Sequence, residues 1–390
     1  MRVYYFARAF QELGANVSVL SGSYSHKYYQ LPDVRGPVQY ENIDGIRYCW
    51  IRTTSYRGAG LGRLMNNLQF ALRLRHMAKE LDLPSPDALI ASSPPPFLVP
   101  ACRRIARRLG ARFYFEVRDL WPLTLIAMGR ISRWHPLSLL LGYCERLGYR
   151  SATAVISSLP NALEYTRPRG CDSERFEYIP NGVHVALTRQ SSEEIPSEVS
   201  QQLSAFSNRF VVGYVGAHTP ANSLSVLLQA ATMLKSDRSI GFVLVGDGSA
   251  KRNLMKVAAE KDLRNILLLD AIPRTQVQAM LQRFDCCYVG LLELPELYQY
   301  GVSMNKMFEY MLAAKPVIAS LSSPGNPIEV SGGGVIVPPE TAAPLAEAIQ
   351  QLALAPSDQR AAMGRRGREY VVREHDIGLL AKRYLKLLSG

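Results

Sequence analysis

Short apolar runs rich in valine, isoleucine and leucine alternate with amphipathic stretches along the second half of the chain. These runs are Phe210–Val215, Gly241–Val245, Asn265–Leu269, Asp285–Leu291, Pro316–Ser320 and Gly334–Val337. Short apolar runs separated by helical patterns are typical of parallel strands that are wrapped by helices. Six strands in this rhythm predict a complete doubly wound domain.

The first half shows the same alternation with a different beginning. Its predicted strands are Val17–Leu20, Ala88–Ser92, Arg112–Val117, Ala152–Ser157 and Phe176–Ile179. A helical pattern, Val3–Leu13, precedes all of them, and Gly14 suits the end of that helix. A doubly wound domain normally opens with a strand, so we expect the first sheet to lack its opening strand.

The turn signal Pro180–Gly182 and the polar stretch after it divide the chain. We predict an α/β protein of two doubly wound, Rossmann-like domains that face each other across a cleft. The predicted domains are residues 1–185 and 209–372, joined by a linker at 186–208. Residues 373–390 are predicted to form a helix that crosses back to the first domain. Ligands of such sheets bind at the carboxyl ends of the strands.

Composition narrows the class of protein. Of 390 residues, 47% are apolar and 20% are charged, which excludes a disordered chain. The apolar runs are shorter than the roughly 20 residues of a membrane-spanning helix, and we expect no secretory leader. Six cysteines without a CxxC motif are typical of reduced, cytosolic thiols rather than of disulfides or a zinc site.

Positive charge is concentrated in the first half. Up to Val185 the chain has 24 Lys and Arg against 14 Asp and Glu, and the remainder has 21 against 19. This asymmetry indicates an anionic partner, but no nucleic-acid-binding motif accompanies it. The densest basic helix, Phe97–Leu109, carries Arg103, Arg104, Arg107 and Arg108 on its outer face. That face is either an ordinary solvated surface or a docking surface for anionic lipid headgroups.

Two glycine-containing loops follow predicted strands of the second domain. Gly216, Ala217 and His218 follow the first strand, and Gly246 and Gly248 follow the second. Glycines there let backbone N–H groups approach a phosphate, but tight turns alone would also require them.

The segment Tyr300–Tyr310 carries the sharpest chemical signal. In a helix that begins at Ser303 or Asn305, Lys306 and Glu309 share one face. A lysine in a first helical turn opposes the helix dipole, which hints at a nearby anion. A carboxylate one turn later could bind a ribose diol. An exposed ion pair between the two side chains is the alternative.

In the first half, Arg118 and Asp119 follow a predicted strand. Asp119 could orient or deprotonate a hydroxyl group, and Arg118 could bind a phosphate. A salt bridge at the strand end is the alternative. The sequence has no DxD, HExxH or metal-spaced histidine cluster, so we expect neither a metal nor another cofactor.

Several motifs occur in an order that resembles the family-4 retaining glycosyltransferases of the GT-B fold. The likeness is closest to bacterial surface-polysaccharide enzymes of the N-acetylfucosaminyl-transferase-like group. The matching segments are Ala91–Pro96 (ASSPPP), Glu116–Pro122 (EVRDLWP), Ile179–Val183 (IPNGV), Gly213–Gly216, Leu244–Gly248 (LVGDG) and Ser303–Ile318 (SMNKMFEYMLAAKPVI).

The resemblance implies a UDP-sugar donor on the second domain and catalysis without a metal. Lys306 matches the lysine that contacts the diphosphate, Glu309 matches the acid that binds the ribose, and Asn305 lies beside them. Arg118 and Asp119 match the acceptor side. The implied acceptor is a polyprenyl-diphosphate-linked glycan at the inner face of the plasma membrane, where the basic first half would meet anionic lipid.

Three positions depart from the family pattern. Gly301 replaces the first acid of an ExxxxxxxE motif, and Ala217–Leu224 lacks the usual Gly-Leu and basic character. The family's first strand and glycine-rich loop would precede Met1, so either the true start lies upstream or the protein is impaired. A non-catalytic GT-B protein that binds a nucleotide sugar, and a nucleotide-sugar epimerase, remain alternatives.

Overall fold

The computed structural model describes residues 2–25, 31–56, 60–77, 81–82, 84–186 and 193–390. The chain divides into two compact units. The first comprises Met1–Pro180 and Leu380–Gly390, and the second comprises Asn181–Leu379. The described parts of both units are built from helices and mainly parallel strands, which confirms the predicted α/β class with two Rossmann-like domains.

Seven strands of the first unit form two sheets in the described residues. The strands are β1 Ser18–Gly22, β2 Val38–Ile43, β3 Ile46–Ile51, β4 Ala88–Ser92, β5 Arg112–Val117, β6 Ala154–Ser157 and β7 Phe176–Tyr178. One sheet has the order β1-β3-β2, and the other has the order β4-β5-β6-β7 with every pair parallel. The predicted strands of this half therefore exist, with ends shifted by up to two residues.

The hairpin β2–β3 is an element that the sequence prediction missed. Its strands are antiparallel and pair Ile43 with Ile46 across a two-residue turn. Asp44 and Gly45 form this turn with positive φ values of 51° and 83°. Asp-Gly between two apolar strands is a strong signal for this hairpin turn, so the sequence did carry the information.

Helices cover the sheets of the first unit. They are α1 Arg2–Glu12, α2 Leu61–Met77, α3 Val99–Leu109, α4 Leu123–Ala127, α5 Pro136–Ser151 and α6 Ala162–Thr166. Helix α3 packs against α2, α5 and strands β4 and β5, and it ends at Gly110, whose left-handed conformation closes the last turn. Residues 78–80, which follow α2 directly, lie outside the described residues.

A buried ionic cluster lies at the carboxyl end of β5. Glu116 accepts a 2.9 Å bond from Arg2 and a 2.5 Å bond from Ser92. Tyr384, from the last helix of the chain, donates a third bond to the same carboxylate at 3.3 Å. The two arginines Arg2 and Arg118 and the Ser92 bond lower the pKa of Glu116, although its burial opposes them. The cluster therefore ties both ends of the described chain to the central strand of this unit.

In its described residues, the second unit contains one sheet of six parallel strands. They are β8 Phe210–Val215, β9 Ile240–Val245, β10 Ile266–Leu269, β11 Cys286–Gly290, β12 Val317–Ser320 and β13 Gly334–Val337. Their order in the sheet is β10-β9-β8-β11-β12-β13. This is the doubly wound order in which the connections reverse direction between the first and fourth strands.

The helices of the second unit lie on both faces of that sheet. They are α7 Ser197–Ser204, α8 Leu224–Met233, α9 Lys251–Glu260, α10 Val277–Gln282, α11 Pro295–Tyr298, α12 Asn305–Leu312, α13 Pro327–Ser331, α14 Ala342–Leu354 and α15 Ser357–Glu374. The last helix, α16 Ile377–Ser389, begins in this unit, and its residues from Leu380 onward belong to the first unit.

The predicted linker at 186–208 has more structure than its polar composition suggests. Residues 187–192 lie outside the described residues. Beyond them, helix α7 forms, and Ile195 and Phe206 are buried in a core cluster of the second unit. These two apolar residues anchor the segment in the core of the second unit.

Within the described residues, no helix is long and apolar enough to cross a membrane.

Candidate functional site

The reversal point of the second sheet lies between β8 and β11. Loops after these two strands run to opposite faces of the sheet and leave a crevice at their carboxyl ends, where ligands of such sheets bind. Gly216 follows β8 directly, and helix α12, which carries Lys306, follows β11 in the chain. The Cε atom of Lys306 lies 3.6 Å from the place that a Cβ on Gly216 would occupy. The structure therefore brings two of the predicted residues together at this point.

The amine of Lys306 is held by two neutral oxygens. It donates a 2.8 Å hydrogen bond to the hydroxyl group of Tyr214 and a 2.6 Å bond to Oδ1 of Asn222. The amine also lies 4.7 Å from the centre of the Tyr214 ring, within reach of a cation–π contact. In the described part of the chain, no carboxylate lies within ion-pair distance of it. Burial lowers the pKa of Lys306 to about 7, and Glu309 opposes this effect.

Tyr214 and Asn222 are themselves fixed by the loop that they support. The Tyr214 hydroxyl group donates to the carbonyl oxygen of Ala217 at 2.8 Å, and Nδ2 of Asn222 donates to the same oxygen at 2.7 Å. The four groups close a ring of hydrogen bonds, so the lysine head group is positioned without an opposite charge. Sequence reasoning missed both side chains because their partners are distant in sequence or are backbone atoms.

Glu309 lies one helical turn from Lys306 and has a different partner. Its Oε1 atom accepts a 2.7 Å bond from Nη2 of Arg274, and the side chain of Glu309 is 13% exposed. Arg274 lies in the loop between β10 and α10. The exposed ion pair between Lys306 and Glu309, considered as the alternative, is therefore absent. Arg274 is a site residue that the sequence analysis missed, because nothing in its local pattern distinguishes it from other surface arginines.

The two glycine loops pack directly on each other. A Cβ on Gly246 would lie 1.9 Å from the carbonyl oxygen of Gly216, and one on Gly248 would lie 2.4 Å from that of His218. Backbone bonds join the same loops, from His218 N to Asp247 O at 2.8 Å. Loop packing therefore accounts for Gly246 and Gly248, whereas Gly216 faces the lysine.

His218 is buried beneath its loop, whereas Asn305 lies at the start of helix α12. The His218 side chain is fully buried, and burial together with Lys251 lowers its pKa to about 4, so it is neutral at pH 7 and is no cationic partner for a phosphate. Asn305 is the first residue of α12. The loop before it is held by Asn181, whose backbone N and Nδ2 atoms bond to Ser303.

In the first unit, Arg118 and Asp119 are engaged by their own surroundings. Asp119 accepts bonds from the Leu120 backbone, the Trp121 indole and the Thr124 hydroxyl group, at 3.0, 3.0 and 2.6 Å. Nε of Arg118 donates to the Ser93 carbonyl oxygen at 2.6 Å, and burial lowers the pKa of Arg118. Asp119 therefore organises the loop before α4, and the salt bridge considered as an alternative does not form.

Across the described ranges, no group of three or more His, Cys, Asp and Glu side chains is arranged to hold a metal ion.

Two family models match the chain in tandem. The model described as "Glycosyl transferase 4-like domain" matches residues 1–182, and the one described as "Glycosyl transferases group 1" matches residues 209–354. The two matches fall on the first and second structural units, respectively.

Two curated relatives show distant similarity over most of their length. An Escherichia coli (strain K12) protein, WcaI, named as a glycosyl transferase of colanic acid biosynthesis, is 22% identical over 70% of this chain and 68% of its own. The alpha-D-kanosaminyltransferase of Streptomyces kanamyceticus is 23% identical over 64% of this chain and 70% of its own. Both names describe glycosyltransferases and neither describes an epimerase.

Solved structures share the fold at low sequence identity. The Anabaena protein HepE in complex with UDP aligns with a TM-score of 0.64 and 16% identity, covering 88% of this chain and 86% of its own. The sucrose-phosphate synthase of Thermosynechococcus elongatus aligns with a TM-score of 0.72 and 16% identity, covering 99% of this chain and 91% of its own.

Proposed function

Since the chain is a glycosyltransferase of the GT-B fold, we propose that its second unit binds a UDP-sugar. The sugar is transferred, with retention of configuration, to a polyprenyl-diphosphate-linked glycan during synthesis of a bacterial surface polysaccharide. One observation carries the donor assignment. The Lys306 amine, partly buried at the reversal point of the sheet, is held only by neutral oxygens in the described structure. An anion that reaches it would supply the missing opposite charge.

The other residues of the site fit the parts of a nucleotide. Glu309, one turn along the same helix, accepts hydrogen bonds from the ribose hydroxyl groups, and Gly216 leaves room for the diphosphate beside Lys306. Asn305 contributes from the first turn of α12. Ala217 takes part through its carbonyl oxygen, which fixes Tyr214 and Asn222. The loop that carries Gly216 is supported by the buried side chain of His218 and by close packing against Gly246 and Gly248.

The transfer forms a bond from an acceptor hydroxyl oxygen to the anomeric carbon and breaks the bond from that carbon to the diphosphate. The acceptor proton passes to the departing diphosphate. Protonated Lys306 stabilises the charge that develops on this leaving group, and electrostatic stabilisation of this kind is a main source of catalysis. We propose that no metal is required, so EDTA leaves the initial rate unchanged.

The acceptor assignment rests on the charge of the first unit and on the relatives. WcaI is named for colanic acid biosynthesis, and a lipid-linked glycan is anionic at its diphosphate. Arg118 contributes to the acceptor side, with Asp119 holding its loop in place. The enzyme works at the cytoplasmic face of the plasma membrane, where Arg103, Arg104, Arg107 and Arg108 of α3 meet anionic lipid. Neutralising these four arginines together should weaken binding to anionic vesicles.

The donor assignment is tested by thermal-shift screening against UDP, GDP, ADP and dTDP sugars. A donor at about 100 times its Kd stabilises the fold by roughly 2.7 kcal/mol. We expect a UDP-sugar to do so, and Lys306→Ala and Glu309→Ala to lose the shift and most of the transfer to a lipid extract. Lys256→Ala, an exposed lysine of the same unit, is the matched control.

Three outcomes would contradict parts of this proposal. Stabilisation by another nucleotide alone would overturn the UDP assignment. Binding without sugar transfer to any lipid extract would identify a non-catalytic binding protein, and conversion of the sugar nucleotide without an acceptor would identify an epimerase. Near-native turnover in both variants would remove Lys306 and Glu309 from the site.

A further inference from the structure

Helix α5 of the first unit is apolar on both sides over its first half. Leu137, Leu141 and Cys144 face inward and belong to a core cluster with Phe97 of the segment before α3. The opposite side exposes Leu139 to 55%, Leu140 to 45% and Tyr143 to 62%. A surface helix normally turns charged or polar residues to the solvent, so this outward side departs from the usual pattern.

Trp134, one residue before the cap of α5, extends this exposed apolar surface. It is 75% exposed. Together, Trp134, Leu139, Leu140 and Tyr143 form what we call the Trp134 face. Large exposed apolar side chains that are neighbours in this way mark interaction surfaces, whereas single ones are ordinary.

The chain segment that forms the Trp134 face carries charge of one sign. No acidic residue occurs between Asp119 and Glu145, whereas Arg130 and Arg133 lie in that segment and are exposed. Arg146 and Arg150 continue the exposed side of α5. Helix α3, whose arginines were considered above, packs beside α5. The apolar face is therefore flanked by exposed arginines at both ends, and the neighbouring helix α3 adds further positive charge to this part of the unit.

We propose that the Trp134 face inserts into the interfacial region of a bilayer that contains anionic lipid. Apolar side chains then enter the acyl boundary, the surrounding arginines contact lipid phosphates, and Trp and Tyr take the level of the headgroups that they prefer. A second copy of the chain is a poorer occupant, because a symmetric dimer through this face would bring its arginines against each other. The inference gives the membrane association in the proposed function an apolar anchor that basic residues alone do not supply.

Tryptophan fluorescence provides the test, because Trp134 is far more exposed than the buried Trp50 and the partly buried Trp121. We expect a blue shift with vesicles that contain 30% phosphatidylglycerol, as a chosen composition of roughly physiological charge, and quenching by brominated acyl chains. Trp134→Phe should lose both signals but still sediment with the vesicles.

The double variant Leu139→Gln and Leu140→Gln, called the α5 variant, should lower the vesicle partition coefficient by about tenfold or more, because two apolar side chains no longer leave water. A control variant, Val330→Gln with Leu354→Gln, changes two exposed apolar residues of the second unit and should bind vesicles as the wild type does. Unchanged partition of the α5 variant, or no blue shift in the wild type, would overturn the proposal. A concentration-dependent dimer without vesicles, abolished by the α5 variant, would assign the face to a second copy instead.

The test of vesicle binding can be distinguished from the test of the donor site. Stabilisation by a UDP-sugar should be the same in the wild type and in the α5 variant. Loss of vesicle binding with retained UDP-sugar binding supports the anchor, and absence of UDP-sugar binding in the wild type counts against the proposed function alone.

Discussion

Replacing Lys306 by methionine should have opposite effects on stability and on ligand binding. The low pKa of Lys306 arises from burial. A pKa of about 7 in place of 10.5 means that charging this amine in the folded protein costs about 5 kcal/mol. The unfolded chain binds the proton more tightly, so the free energy of unfolding rises as pH increases from about 7 to about 10.5.

Methionine removes that cost and keeps a similar side-chain volume. It also removes the bonds to Tyr214 and Asn222, each worth about 1 kcal/mol. We therefore expect Lys306→Met to raise the unfolding free energy at pH 7 by about 3 kcal/mol and to flatten its rise toward pH 10.5. Affinity for a UDP-sugar should fall by about 10- to 150-fold, the worth of one hydrogen bond to a charged group.

Differential scanning calorimetry and titration calorimetry measure the two effects, and Lys251→Met provides the contrast. Lys251 donates to the carbonyl oxygens of Gly246 and Leu269 at 2.9 and 3.0 Å and forms an ion pair with Asp270. Its replacement should lower the melting temperature. If Lys306→Met also lowered the melting temperature and left UDP-sugar affinity intact, Lys306 would be a structural residue and the reasoning would be refuted.

Four further substitutions test other residues of the site and of the fold. Glu309→Gln keeps the shape of the side chain but weakens ribose binding, so the Kd for a UDP-sugar should rise about tenfold. Arg274→Met should raise that Kd less, since Arg274 acts through Glu309. Titration calorimetry measures both values, and a larger effect of Arg274→Met would contradict this order. Burial raises the pKa of Glu145 to about 7. Between about pH 4.5 and 7, the folded protein therefore holds a proton on Glu145 that the unfolded chain has released. The unfolding free energy should fall as pH rises through that window. Urea unfolding of Glu145→Gln should show a flatter dependence, and an unchanged slope would exclude Glu145 as its source. Gly246→Ala places a Cβ against the Gly216 carbonyl oxygen and should destabilise the fold by about 3 kcal/mol in the same assay, whereas a neutral result would mean that the loop moves freely.

The sequence predicted the strands of the second sheet well because each is a continuous apolar run that lies buried in a parallel sheet. It predicted the first unit less well. Strand β2 is largely exposed and carries polar residues, whereas β3 is almost wholly buried. The signal for the pair is the Asp44–Gly45 turn, which the sequence prediction did not use. In the segment before β8, Ile195 and Phe206 fix residues that composition alone assigns to a linker.

For the site, local spacing placed Lys306 and Glu309 on one helix face but could not supply their partners. Tyr214, Asn222 and Arg274 reach the site from other loops of the same sheet. Only the folded structure shows that loop packing requires Gly246 and that Asp119 accepts hydrogen bonds from residues of its own loop. A pattern within one segment identifies a chemical group, whereas its contacts come from distant segments.

The most direct test of the donor site is a crystal structure of the protein with UDP bound. The account predicts a diphosphate oxygen within hydrogen-bond distance of Nζ of Lys306 and the ribose hydroxyl groups at the carboxylate of Glu309. A structure with UDP bound elsewhere, while Lys306 remains bonded only to Tyr214 and Asn222, would contradict it.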